Sequence, residues 1–268
     1  MFFDIFIEIK NFLRYTNIKG KTVENMCKKA VVTLSIDDAR ENMLPLLEEK
    51  LIPLKISATI NVVTGFIDGT AENRGYPCVS KEQLMELYKS GLFEIANHGD
   101  SHKNTLEDIK KGRDKLIEWL SLDKEELLGF ASPGSNMTIE KAMEDEPLLK
   151  KAGVSYVRTR DTSFAFDENE GDRHGFLSGY SFAFSSVVVY NGVTPYERLI
   201  KLTEYALKKG LTLVLMLHNF AREGEEIYEG AWTYDLDEFS RYIDYLHEKR
   251  AGGEVEILKT KDALERLK

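Results

Sequence analysis

Ala30-Val31-Val32-Thr33-Leu34-Ser35-Ile36-Asp37-Asp38 is the stretch from which the fold is read. Seven residues, β-branched or apolar apart from Ser35, stop abruptly on two carboxylates. A helical pattern through Leu44, Leu46, Leu47 and Leu51 follows, so a strand feeds a helix with two aspartates at the junction. Because the run is apolar nearly throughout, it is expected to be buried on both faces, as strands of parallel sheets are.

The same grammar repeats along the chain. Ile56–Val63, Leu92–Ala96, Leu127–Ala131, Val154–Thr159, Leu211–Leu217 and Val255–Leu258 read as strands, and Tyr180–Tyr190 is rich in β-formers. Between them, Thr105–Leu122, Thr138–Ala152, Pro195–Lys209, Asp235–Arg250 and Lys261–Leu267 carry helical spacing, and Ser80-Lys81-Glu82-Gln83 starts a capped helix that Gly91 closes. Thr64–Tyr76 reads as a glycine-containing loop, and Thr162–Gly179 as an acidic one. Seven or eight strand–helix units predict an α/β protein with a mostly parallel sheet closed or nearly closed into a barrel. The expected organisation is one domain over residues 1–268. Residues 1–29 form an N-terminal extension packed on the barrel, 30–258 the core barrel and 259–268 a C-terminal helix.

Composition narrows the function. The 268 residues carry a formal charge of -9, which disfavours a phosphate-backbone partner, since nucleic-acid affinity rests on clustered Lys and Arg. Two distant cysteines, Cys27 and Cys78, indicate neither a disulfide scaffold nor a cysteine zinc site. Met1–Tyr15 has no basic n-region or small-residue cleavage site, and no apolar run reaches membrane-spanning length. A cytoplasmic location without a membrane partner is the expectation.

In a parallel barrel, chemistry gathers where strands end and loops lead to helices. Asp37-Asp38, His98, Pro133-Gly134 and His218 all fall at such ends. His98 and His102, four residues apart, have a spacing that lets two imidazoles converge on one divalent cation. Two histidines and a carboxylate leave coordination positions open for water and substrate; Asp38 is the natural third ligand and Asp37 the natural base. The alternative for either aspartate is that it caps the helix that follows. His218, delivered by a buried strand, is a candidate general acid or a hydrogen-bonded core histidine.

Ser35-Ile36-Asp37-Asp38 resembles the first motif of the polysaccharide deacetylases, carbohydrate esterase family 4 or the NodB-homology domain. Asn97-His98-Gly99-Asp100-Ser101-His102 resembles their second motif, Phe130-Ala131-Ser132-Pro133-Gly134 a shortened third, and Leu215-Met216-Leu217-His218 the last. The resemblance spans roughly Val31 to Val255. It implies a distorted (β/α)7-8 barrel, one divalent metal ion (Zn2+, with Co2+ or Ni2+ used by some members) and removal of N- or O-acetyl groups from a carbohydrate. By the same resemblance Asp37 is the base, Asp38, His98 and His102 bind metal, and His218 is the acid.

Two departures bear on activity. Many members place in the third motif an arginine that pairs with the catalytic aspartate, where this chain has Ala131; Arg158 or Arg160, at the end of the fifth strand, is the substitute charge to look for. The fourth motif is not recognisable, leaving Asp161 and Trp232 as its candidates. Pro133, Gly134 and Ser135 are the candidates for an oxyanion-binding turn, with Trp232 and the two arginines facing substrate. The alternatives are hydrolysis of another non-peptide C–N bond on the same scaffold, or a non-catalytic carbohydrate-binding relative.

Overall fold

The computed structural model describes residues 29–159, 175–225 and 232–268. The expected N-terminal extension up to residue 28, together with Arg160, Asp161 and most of the acidic loop, lies outside the described residues.

Strand β1 (Ala30–Asp37) is buried along its whole length. Parallel to it run β2 (Ala58–Val62), β3 (Phe93–Asn97), β4 (Leu128–Ala131) and β5 (Val154–Arg158) in that order on one side, and β9 (Thr212–Leu217) on the other. The sheet closes by a short device. β7 (Ala183–Phe184) pairs with β5, and three residues on β8 (Val187–Val188) pairs with β9, so one stretch of chain bridges the two free edges. Both pairings are parallel, which completes the predicted barrel. Two further pieces widen its base. β12 (Val255–Ile257) wedges beside the start of β1, and β6 (Phe176–Leu177) adds antiparallel to the start of β9. A separate parallel pair, β10 (Asn219–Ala221) with β11 (Thr233–Asp235), lies beyond β9.

Strands β1, β2 and β9 are buried on both faces, but the faces differ in kind. Val32, Leu34 and Ile36 of β1, Ala58, Ile60 and Val62 of β2 and Leu213, Leu215 and Leu217 of β9 pack outward into the main hydrophobic cluster beneath the helices. Each such side chain contributes about 1.5–3 kcal/mol by leaving water. The alternate residues face the barrel axis and are largely polar: Thr33, Ser35 and Asp37, then Thr59 and Asn61, then Tyr156 and Arg158. This alternation carries the functional side chains, because Asp37, His98, Arg158 and His218 all fall in the inward register at the strands' C-terminal ends.

Helices cover the outside. The segment after β1 is a helical run, 41–51, that loosens from 3-10 through α to π geometry. Helix α1 (Lys81–Lys89) begins with the predicted capping box, in which Ser80 and Gln83 exchange backbone and side-chain bonds. Helix α2 (Leu106–Leu120) starts at Thr105. The single helix expected over Thr138–Ala152 is instead two, α3 (Ile139–Glu144) and α4 (Glu146–Lys151). Pro147 has no N–H to continue the first helix and sits in the first turn of the second. Thr64–Tyr76, read as loop, contains one helical turn, Thr64–Ile67. Helices α5 (Tyr196–Lys209), α6 (Leu236–Ala251) and α7 (Thr260–Leu267) follow as expected, and no described helix is long and apolar enough to cross a membrane.

The barrel floor is plugged by a polar knot. Glu94 accepts from Thr59 Oγ1, Tyr156 OH and the Lys261 N–H, each at 2.9 Å, which ties the start of α7 to β2, β3 and β5. Burial pushes the Glu94 carboxyl upward despite these donors. The Tyr156 ring lies over Gly129, where a Cβ would come 2.1 Å from Cζ. Gly129→Ala is therefore expected to cost about 1–3 kcal/mol in urea unfolding, the usual penalty for overpacking; unchanged stability would show that the ring is not held there.

Candidate metal centre and active site

β1 ends by turning sharply. Asp37 keeps the inward register, but Asp38 (φ 70°) and Ala39 (φ 51°) both adopt the left-handed conformation, which swings the second carboxylate across the barrel mouth. β3 delivers His98 as its next inward residue, and the turn after it brings back His102, also left-handed at φ 59°. Non-glycine residues held at positive φ cost free energy, and two of the three predicted ligands are held so.

Asp38 Oδ1 lies 3.7 Å from Nε2 of both His98 and His102. The three donor atoms fall within 4.8 Å of one another. Asp38 Oδ1 is a buried acceptor with no hydrogen-bond partner among the described residues. His98 points Nδ1 at the Ala131 carbonyl, 2.7 Å away, so Nδ1 carries the proton and Nε2 presents a lone pair to the site. Burial pushes the His98 pKa down to about 4 against the pull of Asp37, so the imidazole is neutral at pH 7, as a ligand must be. Two imidazole nitrogens and one carboxylate oxygen suit Zn2+ or a similar borderline cation.

Asp37 sits beneath this trio, 2% exposed. Arg158 Nη2 donates to both its oxygens at 2.6 and 2.7 Å, and Asn61 Nδ2 donates to Oδ1 at 2.8 Å. Oδ2 faces His218 Nε2 at 3.6 Å and His98 Nε2 at 3.9 Å. Burial alone would raise this carboxyl, but Arg158, then His98 and His218, outweigh it and hold the pKa at about 2. His218 is pushed below 6.5, chiefly by burial, against the pull of both aspartates. Its Nδ1 is buried without a hydrogen-bond partner among the described residues, and its ring meets Trp232 edge-on at 4.8 Å.

Arg158 answers the absence of an arginine at position 131. Ala131 on β4 and Arg158 on β5 are register partners, so the guanidinium rises from the neighbouring strand at the same level. Arg158 is itself buried and is steadied by Ser186 Oγ, which accepts from Nη1 at 3.2 Å.

Asp37, Asp38, His98, His102 and His218 line one cleft of about 390 Å³, together with Gly134 and Trp232. Pro133 is not among the residues that line it, and the Ser135 side chain lies outside the described ones. The Pro133 carbonyl accepts from Asn104 Nδ2 at 2.8 Å, which braces the turn against the loop after His102. Sequence reading missed Asn61 and Arg40. Asn61 is the register partner of Asp37 on β2, one inward position beyond Thr59. Arg40 stands two residues after Asp38, with Nε 3.7 Å from Asp38 Oδ2 and its guanidinium between the rings of Phe66 and Tyr76, at 4.7 and 5.4 Å. It occupies the second carboxylate oxygen and leaves Oδ1 to the histidines.

Residues 24–142 match the family model described as polysaccharide deacetylase. The curated poly-β-1,6-N-acetyl-D-glucosamine N-deacetylase of Staphylococcus aureus strain MRSA252 is 32% identical over 164 residues, covering 56% of this chain and 53% of that protein. The chain spans about half the length of the curated relatives it matches. Among solved structures, a family 4 acetyl xylan esterase from Clostridium thermocellum in complex with a cobalt ion superposes with a TM-score of 0.47 at 14% identity, covering 88% of this chain and 91% of the other. The Streptococcus pyogenes deacetylase PplD in complex with acetate gives 0.45 at 14% identity over 63% and 68%.

The Asp37–Arg158 pair makes a prediction about pH. A carboxyl depressed from 3.8 to about 2 on folding contributes on the order of 2 kcal/mol above pH 4, a contribution lost as pH falls through about 2. Arg158→Met leaves Asp37 buried and unpaired, and is expected to cost about 3–5 kcal/mol at pH 7. The deficit narrows as acid protonates Asp37, and adding Ala131→Arg recovers part of it. Chemical unfolding across pH tests this; a deficit independent of pH would refute it.

Proposed function

We propose that the chain, whose residues 24–142 match the polysaccharide deacetylase family model, is a metal-dependent hydrolase that removes acetyl groups from a carbohydrate, with an N-acetylated hexosamine polymer as the preferred class. The observation that carries the reading is the convergence of Asp38, His98 and His102 over an ionised Asp37, with His218 across the same cleft. The curated relatives, whose name specifies N-deacetylation of poly-N-acetylglucosamine, support the N-acetyl linkage.

Asp38, His98 and His102 would hold the ion, and a divalent ion there supplies Lewis-acid chemistry, acidifying water and polarising an acyl carbonyl. Zn2+ is the proposed ion, on the strength of the two imidazoles and one carboxylate. Asp37 is already anionic at working pH, so it accepts the proton of the attacking water at Oδ2, the oxygen turned toward the cleft. A carboxylate of pKa about 2 is a weak base, and it would serve only toward a water acidified by an ion held at Asp38, His98 and His102. His218 enters neutral. With Nε2 3.6 Å from Asp37 Oδ2, it receives that proton and hands it to the departing amine, returning both groups to their starting states. Gly134 offers the turn beside the cleft, and Trp232 forms an apolar wall for the acetyl methyl.

Arg158 bears on the non-catalytic alternative. A protein that only bound sugar would not need a buried guanidinium to keep Asp37 ionised, yet this chain replaces the one lacking at position 131.

The test joins metal analysis of the purified full chain with acetate release from N-acetylglucosamine oligomers and acetylated xylan. Chelation is expected to abolish release and Zn2+ to restore it. His98→Ala should lose the metal. Asp37→Asn and His218→Ala should retain it while turnover falls by on the order of a hundredfold or more. Normal turnover by Asp37→Asn would sink the assignment of the base.

A further inference from the structure

His98 and His102 are held in different ways. His98 has its ring fixed by the Ala131 carbonyl, whereas His102 is more exposed and packs against the rings of Phe66 and His98, at 5.9 and 4.9 Å. The position of His102 therefore depends on its backbone, which is left-handed at φ 59°. Such a conformation persists only where surrounding bonds impose it.

Those bonds converge on one side chain. Asp108 accepts the Ser101 N–H at 2.9 and 3.1 Å, the Ser101 hydroxyl at 2.5 Å and the Lys103 N–H at 3.0 Å. Its donors thus come from the residues on either side of His102. The Asp108 carbonyl also accepts the Asp100 N–H at 3.2 Å. Asp108 lies in the first turn of α2, where an acidic residue ordinarily serves the helix. The cap is already supplied by Thr105, whose Oγ1 accepts the Asp108 N–H at 3.2 Å. The Asp108 carboxylate is spent on the turn instead.

Two glycines make this approach possible. A Cβ on Gly99 would lie 2.5 Å from Asp108 Oδ2, and one on Gly112 would lie 2.5 Å from Asn97 Oδ1 and 2.9 Å from the Asp100 nitrogen. Asn97 closes the contact, donating Nδ2 to the Ile109 carbonyl at 2.7 Å while its Oδ1 accepts the Gly99 N–H at 2.9 Å. Helix α2 therefore touches the turn 97–103 backbone to backbone.

We propose that Asp108 is the positioning residue of the metal centre: its buried carboxylate clamps Ser101 and Lys103 and so fixes His102 over Asp38 and His98. The assignment rests on reading that trio as a metal site. It acts through His102 and touches neither substrate nor ion. A carboxylate that collects several N–H and O–H donors is a strong anchor, and loss of such an outer partner commonly weakens metal affinity by about ten- to a hundredfold.

Isothermal titration of Zn2+ into the metal-stripped full chain tests the proposal, with amide hydrogen exchange at Ser101 and Lys103 as a second readout. Asp108→Ala is expected to bind Zn2+ about ten- to a hundredfold more weakly and to exchange both amides faster, and Asp108→Asn, which keeps one acceptor, to fall between it and the parent. Acetate release lost by these variants at limiting Zn2+ should return at saturating Zn2+, which separates loss of ligand position from loss of a catalytic group. Thr105→Ala weakens the same helix start without removing the clamp, and should bind Zn2+ as the parent does. If Asp108→Ala does not fold, Asp108→Asn alone decides. Parent-like Zn2+ affinity in the Asp108 variants, or an equal loss in Thr105→Ala, overturns the proposal while leaving the metal centre intact. A parent chain that binds no Zn2+ overturns both.

Discussion

The buried pair of Asp37 and Arg158 is the constraint around which the barrel is arranged. An ionised carboxylate and a guanidinium inside a barrel are stable only if nearly every donor and acceptor is satisfied, because burying either charge alone costs several kcal/mol. Asn61 from β2, Ser186 from the closing segment and Ala131 on β4, whose methyl group leaves room, are the accommodations. The electrostatics of the rim follow. At neutral pH a negative Asp37 stands under two histidines that burial keeps neutral, so their imidazoles offer lone pairs beside its charge.

Much of this was legible in the sequence because inward and outward residues alternate on the strands. Val32, Leu34 and Ile36 announce a buried strand, and their partners Thr33, Ser35 and Asp37 announce an axis that is not purely apolar. The histidine pair and the two aspartates could be placed on one rim from their positions at strand ends alone. Arg158 was visible only as one of two arginines near the end of β5; choosing it over Arg160 requires the register that sets it beside Ala131. Asn61, Arg40 and Asp108 gave no such signal. An asparagine within a strand, an arginine after a turn and an aspartate in a first helical turn have ordinary uses, and only distances show them turned toward the site. The break between α3 and α4 could have been read from Pro147, whose missing N–H interrupts an otherwise continuous pattern.

The two ends of the barrel use polarity differently. At the floor, Glu94, Tyr156, Thr59 and the start of α7 satisfy one another in a closed set of hydrogen bonds. At the mouth, Asp38 Oδ1 and His218 Nδ1 are buried without such partners among the described residues. Buried polar atoms are costly to leave unpaired, so the floor is satisfied internally while the mouth carries an uncompensated polar cost.

The pairing of β1 with β9 has a consequence for how the molecule is assembled. Asp38, His98 and His102 come from β1, β3 and the turns after them, within the first half of the chain, whereas Arg158 and His218 arrive on later strands. Contacts between elements so distant in sequence close large loops, and in folding they form late and slowly. A chain leaving the ribosome thus exposes Asp37, Asp38, His98 and His102 before Arg158 and His218 have been made. Until β5 and β9 have both joined the sheet, Asp37 lacks Arg158 and His218, so a half-made barrel leaves this carboxylate without the partners that hold it ionised.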